Sequence, residues 1–206
     1  LLTKADGSKF GKSEQGNIWL DPKLTSPYKF YQFWINSDDS DLSKFFRYFS
    51  LKSQVEIEAL ENEHASDLRS LKKILAEEIT LRVHGKKAFQ GAMEVSELLF
   101  NKDCTTDFLF SLESETYKQL KDELPNFSIS RGQFNENKNV ISLLSEHTSI
   151  LNSKSEARRA IQGNAIGINK RKISDVDANL LETDLIHDKY IIVDNGKKNK
   201  YLIEIQ

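Results

Sequence analysis

Between residues 37 and 100, apolar side chains recur at the 3.6-residue period of an α-helix, which commits this stretch to burying helical stripes. Leu42, Phe45, Phe46 and Phe49 share one face, Leu68, Leu71, Leu75 and Ile79 another, and Phe89, Ala92, Ser96 and Leu99 continue the pattern. Ser53 and Glu56 form a capping-box signature ahead of Ile57 and Leu60, which predicts a helix start. Gly85, directly after His84, predicts a helix stop. Several amphipathic helices with short breaks predict a compact bundle.

The flanks read differently. Ser26-Pro27 predicts a helix whose Phe30, Phe33 and Trp34 make an apolar stripe, with serine at the N-cap and proline where its missing N–H costs nothing. A further helix is expected from about Ser114 to Leu124, ending before Pro125. Residues 126–138, rich in Ser, Asn and Gly, read as a linker and hence imply a second domain. Beyond it, Val140, Leu143 and Leu144 mark a short helix, and a second capping box, Ser153-Lys154-Ser155-Glu156, opens another through Ile161 that Gly163 ends. Ala165 to Ile168 reads as a strand running to Asn169, with Lys170-Arg171-Lys172 in the following turn. Tyr190–Val193 and Tyr201–Ile205, around Asn195-Gly196, predict a hairpin.

Composition narrows the function classes. With 206 residues, 38% of them hydrophobic and 29% charged, the chain can build one large or two small globular domains. A lone cysteine, Cys104, rules out an internal disulfide and fits a reducing cytoplasm. The four histidines show no ligand spacing, so no metal site is expected. No apolar run approaches the roughly 20 residues that cross a bilayer. The chain starts on Leu1-Leu2 without methionine, which reads as the end of a strand whose earlier residues are missing, so a fragment is expected. The net charge of −2 is uneven: +2 over residues 1–33, −6 over 34–137, +2 over 138–206, and +5 within 154–172. A local basic cluster on a near-neutral chain is a candidate phosphate surface rather than an indiscriminate nucleic-acid binder.

Two stretches carry chemistry. Lys9-Phe10-Gly11-Lys12-Ser13 places two lysines, a glycine and a hydroxyl in a flexible loop able to fold over a polyphosphate. On these five residues alone a solvated turn is the competing reading. In the second stretch, Lys154 and Arg158 lie one helical turn apart, while Ala157, Ala160 and Ile161 can face a core. Arginine offers phosphate a planar fork. The competing reading is a solvated basic helix. His84-Gly85-Lys86-Lys87 is a further candidate contact, or a helix C-terminus complemented by cations.

The lysine loop, followed by Asn17-Ile18-Trp19-Leu20-Asp21-Pro22 and Ser26-Pro27-Tyr28-Lys29-Phe30-Tyr31-Gln32-Phe33-Trp34, resembles the bacterial tyrosyl-tRNA synthetases, with the KMSKS signature of class I synthetases written here as KFGKS. Residues 153–169 are similar to the αL RNA-binding motif found at the C-terminus of those enzymes and in a small-subunit ribosomal protein. The resemblance implies a multidomain, mainly α chain: residues 1–33 as the end of a Rossmann-type catalytic domain, 34–125 as a helical anticodon-binding domain, and 139–206 as a small α+β RNA-binding domain. It implies that Lys9 and Lys12 serve catalysis, and that Lys9, Gly11, Lys12 and Ser13 steady the phosphates of ATP as tyrosyl-adenylate forms, with magnesium, in the parent enzyme. It also implies tyrosine tRNA as partner.

RNA contact is expected from Lys154, Ser155, Arg158, Arg159, Lys170, Arg171, Lys172, Lys197 and Lys198. The chain departs from the family in lacking a HIGH-type motif, a tyrosine pocket and an alternating strand-helix pattern. It is therefore expected to bind tRNA without activating tyrosine, to hold no ATP itself, and to be a monomer, the parent's dimer interface lying in its catalytic domain. The alternative is a stand-alone RNA-binding or ribosome-associated adaptor, which gives no reason for the lysine loop.

Overall fold

The structure, a computed structural model, describes residues 2–5, 7–10, 17–101 and 103–206. The chain is about half helical with one mixed sheet, and divides into two compact units, Leu1–Met93 and Glu94–Gln206.

The first unit begins with a short antiparallel turn, Thr3 bridged to Lys9 and Gly7 at φ 81°. Helix α1 (Pro27–Ile35) starts as expected, the Ser26 hydroxyl accepting from the Lys29 N–H at 3.1 Å. Helix α2 (Asp39–Phe49) is capped by Asp38, and α3 (Gln54–Glu63) carries the Ser53–Glu56 capping box in full. Phe30, Trp34, Leu42, Phe45 and Phe46 are buried together with Leu71, Leu75 and Ile79 of α4 (Leu68–Phe100). Gly85 interrupts α4 where the sequence places a helix stop: its φ of 81° and ψ of 170° leave helical geometry, and a second helical stretch follows it. His84 beside it sets its ring edge-on to Phe30 at 4.7 Å, and burial holds its imidazole below the ordinary pKa.

The second unit contains α5 (Thr106–Ser111), α6 (Ser114–Lys121), β1 (Asn126–Ile129), α7 (Arg131–Glu136), α8 (Val140–Ser142) continued by a π-helical turn over Leu143–His147, α9 (Lys154–Gln162), β2 (Ile166–Ile168), β3 (Arg171–Lys172), β4 (Tyr190–Asn195) and β5 (Asn199–Ile205). The sheet order is β1-β5-β4-β2-β3, with β1 parallel to β5 and the other pairs antiparallel. One face buries Ile166, Ile168, Ile191, Val193, Ile203 and Ile205 against Leu143, Leu144, Ala157 and Ile161. This is the core that α9 docks on.

Three sequence expectations are corrected here. Residues 126–138 are not a linker: β1 pairs with β5, and α7 has its own capping box, Ser130 with Gln133. A partner strand 76 residues away in sequence gives this polar segment its regular structure, which local composition does not record. Arg171 and Lys172 do not sit in a turn but form β3, because Asn169 and Lys170, at φ 47° and 68°, already make the two-residue reversal from β2. The last hairpin closes over three residues, 196–198, since Asn195 pairs with Asn199 and only Gly196 has positive φ.

Candidate nucleic-acid interface

Helix α9 shows why its residues point where they do. Ser153 caps it by accepting from the Glu156 N–H at 3.1 Å, while the Glu156 carboxylate reaches back to the Asn152 N–H at 3.0 Å, one residue earlier than a regular capping box. Ala157 and Ile161 are fully buried. This leaves Ser155, Arg158, Arg159 and Gln162, at i, i+3, i+4 and i+7, on the exposed face. Arg158 and Arg159 make no side-chain hydrogen bond or ion pair among the described residues, and the same holds for the exposed Lys197 and Lys198. Lys154 pairs with Glu146 at 2.9 Å, and that bond holds the Glu146 carboxyl below its ordinary pKa.

The hairpin turn that carries Lys197 and Lys198 lies beside the residues that follow α9. Gly196 N–H donates to Ala165 O at 2.8 Å, which sets the 196–198 turn beside the residues leaving α9. The Lys172 amine donates to Asn164 O at 2.9 Å, bringing β3 to the same place from the other side.

The remaining basic candidates are engaged in holding the fold. The Arg171 guanidinium pairs with Asp184, and the amine of Lys170 lies 3.5 Å from the Asp194 carboxylate with its side chain only 11% exposed. Sequence reasoning missed Asn169 as the reason for this geometry. It is fully buried, takes the Ile192 N–H on its Oδ1 at 2.8 Å, donates from Nδ2 to Asp184 O at 2.6 Å, and its backbone oxygen accepts from the Thr106 hydroxyl at 2.8 Å. Its one legible signal was an asparagine at the end of an apolar strand, a residue type that tolerates left-handed backbone.

The lysine loop is only partly described. Lys9 is exposed, while Gly11, Lys12 and Ser13 lie outside the described residues. Phe10, unremarked in the sequence, packs among Phe33, Trp34, Phe45 and Phe49 with ring centroids 5.0–6.0 Å away. The same segment is pinned by the Ala5 N–H donating to the buried Asp41 carboxylate at 2.9 Å and by the Lys44 amine donating to Thr3 O at 2.8 Å. Lys86 and Lys87 are exposed just past the Gly85 kink. Among the described residues no group of three His, Cys, Asp or Glu side chains could hold a metal ion, and no helix is long and apolar enough to cross a membrane.

Comparison with known proteins defines the class first. Residues 1–101 match the family model of class I tRNA synthetases of the tryptophan and tyrosine type, and residues 116–203 match that of the tyrosine–tRNA ligase SYY-like C-terminal domain. The chain is thus made of class I synthetase sequence at one end and a ligase C-terminal domain at the other. Among curated proteins it is 48% identical to the tyrosine–tRNA ligase of Cytophaga hutchinsonii over 98% of its own length and 48% of that protein's, and 42% identical to the Bacteroides fragilis enzyme over 98% and 47%. The chain belongs to the tyrosine–tRNA ligase family, and spans about half the length of the curated relatives it matches. A solved structure, a C-terminally truncated Aspergillus nidulans mitochondrial tyrosyl-tRNA synthetase, aligns over 41% of this chain and 25% of its own at 28% identity, with a TM-score of 0.38.

Proposed function

We propose that this chain is the tRNA-binding part of a cytoplasmic tyrosine–tRNA ligase, an enzyme that joins tyrosine to its tRNA through a tyrosyl-adenylate made from ATP. The observation that carries the reading is that four exposed cations of the second unit, Arg158 and Arg159 on α9 and Lys197 and Lys198 on the 196–198 turn, are without ion-pair partners among the described residues. Free cations on a rigid helix and turn cost no broken ion pair when phosphate arrives, whereas Lys170 and Arg171 would have to leave Asp194 and Asp184. Lys154, Ser155, Arg158 and Arg159 fall in the 153–169 segment that resembles the αL motif of the family, and Lys172, Lys197 and Lys198 would extend that surface. It would recognise RNA through backbone and shape more than base edges.

Residues 34–125 take the anticodon-binding role in this reading. Lys9, with Gly11, Lys12 and Ser13, steadies the ATP phosphates when a nucleotide-binding sheet is present. Lys9 lies exposed next to the half-buried anchor Phe10, an alternation that suits a loop held at its base and free at its cations. Without a HIGH-type motif and a tyrosine pocket, these 206 residues bind tRNA as a monomer but do not activate tyrosine.

The test is a titration of tyrosine tRNA against the chain and its Arg158→Ala/Arg159→Ala double variant over a range of salt. Each lost phosphate contact removes roughly 0.7–0.9 from the slope of log K against log salt, so the double variant should flatten it by about 1.5. An unchanged slope overturns the assignment of α9 as the RNA-binding helix.

A further inference from the structure

Asp41, Lys44, Phe45 and Phe49 lie at i, i+3, i+4 and i+8 along α2, on one face of the helix, and each of them contacts the short hairpin that leads into the lysine loop. Asp41 is the unusual member, a carboxylate only 2% exposed in the first turn of α2. A carboxylate withdrawn from water is destabilising unless it is bonded. The neighbouring acids have other tasks, Asp38 capping the helix and Asp39 pairing with Lys72. Asp41 Oδ2 accepts from the Ala5 N–H at 2.9 Å, and its Oδ1 lies 3.1 Å from the Lys44 amine, which donates onward to Thr3 O at 2.8 Å. One side chain thus fixes residues 3 and 5, alternate positions of the same strand.

What that strand holds in place is Lys9. Thr3 bridges Lys9 antiparallel, with the Lys4 N–H donating to Ser8 O at 2.8 Å and the Phe10 N–H to Leu2 O at 3.0 Å on either side of the pair. The backbone of Lys9 therefore takes its position from Thr3. On its other side, Phe10 is seated against Phe45 and Phe49, with ring centroids 5.2 and 5.0 Å away. Ring packing is non-directional and does not by itself fix where along α2 the hairpin lies, whereas two directional bonds to alternate residues do. Lys9 is left exposed on a backbone anchored at both neighbouring points.

We infer that Asp41, together with Lys44, is a positioning residue for Lys9: it sets where the first cation of the lysine loop stands against the phosphates of ATP. This role rests on the lysine-loop reading given above. An amine stabilises charge developing on a phosphate only from the right place, and a displacement of about 1 Å can cost on the order of a hundredfold in rate. Asp41 is itself buried and bonded to backbone, so it acts through Lys9 and not on the nucleotide.

Tyrosine-dependent exchange of pyrophosphate into ATP by the full-length ligase, normalised to active sites, tests the role. Asp41→Ala should lower kcat by roughly tenfold to a hundredfold with the tyrosine KM unchanged. A purely structural part would reduce the number of active sites and leave kcat per site alone. Lys44→Met, at a partly exposed side chain, should act in the same sense and serves should Asp41→Ala fail to fold, while Lys44→Arg, which keeps the donors, should keep most of the rate. Asp41→Ala combined with Lys9→Ala should be no slower than Lys9→Ala alone, because a residue that acts through Lys9 then has nothing left to place. Hydrogen exchange on the 206-residue chain checks the anchor itself: the Ala5 and Phe10 amides should lose protection in Lys44→Met while those of α9 do not. If Lys9→Ala exchanges pyrophosphate at the parent rate, the lysine-loop reading falls and takes the role with it. If Lys9→Ala is slow but Asp41→Ala and Lys44→Met both run at the parent rate, or the two losses multiply in the double variant, the positioning role alone is overturned.

Discussion

Replacing Asn169 by alanine should damage the second unit more than its single side chain suggests. Two buried backbone groups lose their partners, the Ile192 N–H at 2.8 Å and the Asp184 carbonyl at 2.6 Å. Each stranded group costs roughly 1–3 kcal/mol. Alanine must also hold φ 47°, which asparagine tolerates and alanine resists by about 1 kcal/mol. The sum is about 3–7 kcal/mol, against the 5–15 kcal/mol that a typical domain has in hand. At the lower end of that range the effect is about 3 kcal/mol. Urea unfolding followed by circular dichroism reads this as a midpoint lowered by roughly 1.5 M, taking about 2 kcal/mol per M for the denaturant slope. Asn169→Gly separates the two causes. It strands the same groups but relieves the backbone, so it should be less damaging than alanine by about 1 kcal/mol. A midpoint shift for alanine below about 0.3 M would refute the claim that this side chain ties the β2–β3 reversal to β4. Glycine worse than alanine would refute the strain term.

Three other perturbations follow from the same structure. The Lys121 and Lys189 amines hold the buried Glu204 carboxyl at a pKa of about 2, below its ordinary 4.5, so the stabilisation is complete above pH 4.5 and is lost as pH falls towards 2. At about 1.4 kcal/mol per pH unit this is at most roughly 3 kcal/mol, trimmed to about 1–2 because both lysines are some two-fifths exposed; the stability gap between the chain and Glu204→Gln should close over that window in urea melts. Gly85→Ala meets no atom within 4 Å but must adopt φ 81° and ψ 170°, a region open essentially to glycine alone, so thermal melting should fall by an amount equivalent to about 1–3 kcal/mol. Phe10→Ala removes one ring from a cluster of five and should destabilise the first unit by about 2 kcal/mol, with Lys9 and Lys44 amides losing protection in hydrogen exchange while those of α9 do not.

Local chemistry was legible wherever a short stretch decides its own conformation. Ser26-Pro27, the Ser53–Glu56 box and the Ser153 cap were all readable, because a cap is a hydrogen bond between residues three apart. The division of α9 into buried Ala157 and Ile161 and exposed Arg158 and Arg159 was readable from helical period alone. The polar segment at 126–138 was not, since β1 exists only through its parallel pairing with β5. Neither was the fate of the Lys170-Arg171-Lys172 triplet. Charge in sequence says that three cations are adjacent, while Asp194, Asp184 and Asn164 O, brought from elsewhere in the fold, decide that all three are engaged.

By itself, then, the sequence determined the family, the helical character of residues 37–100 and the basic helix, because motifs and periodicity are properties of neighbours along the chain. Only the tertiary structure decided which cations are free. An ion pair or a buried asparagine bond depends on residues tens of positions apart arriving within 3–4 Å, and no spacing along the chain encodes that distance. It left Arg158, Arg159, Lys197 and Lys198 available, and engaged Lys170 and Lys200 with Asp194.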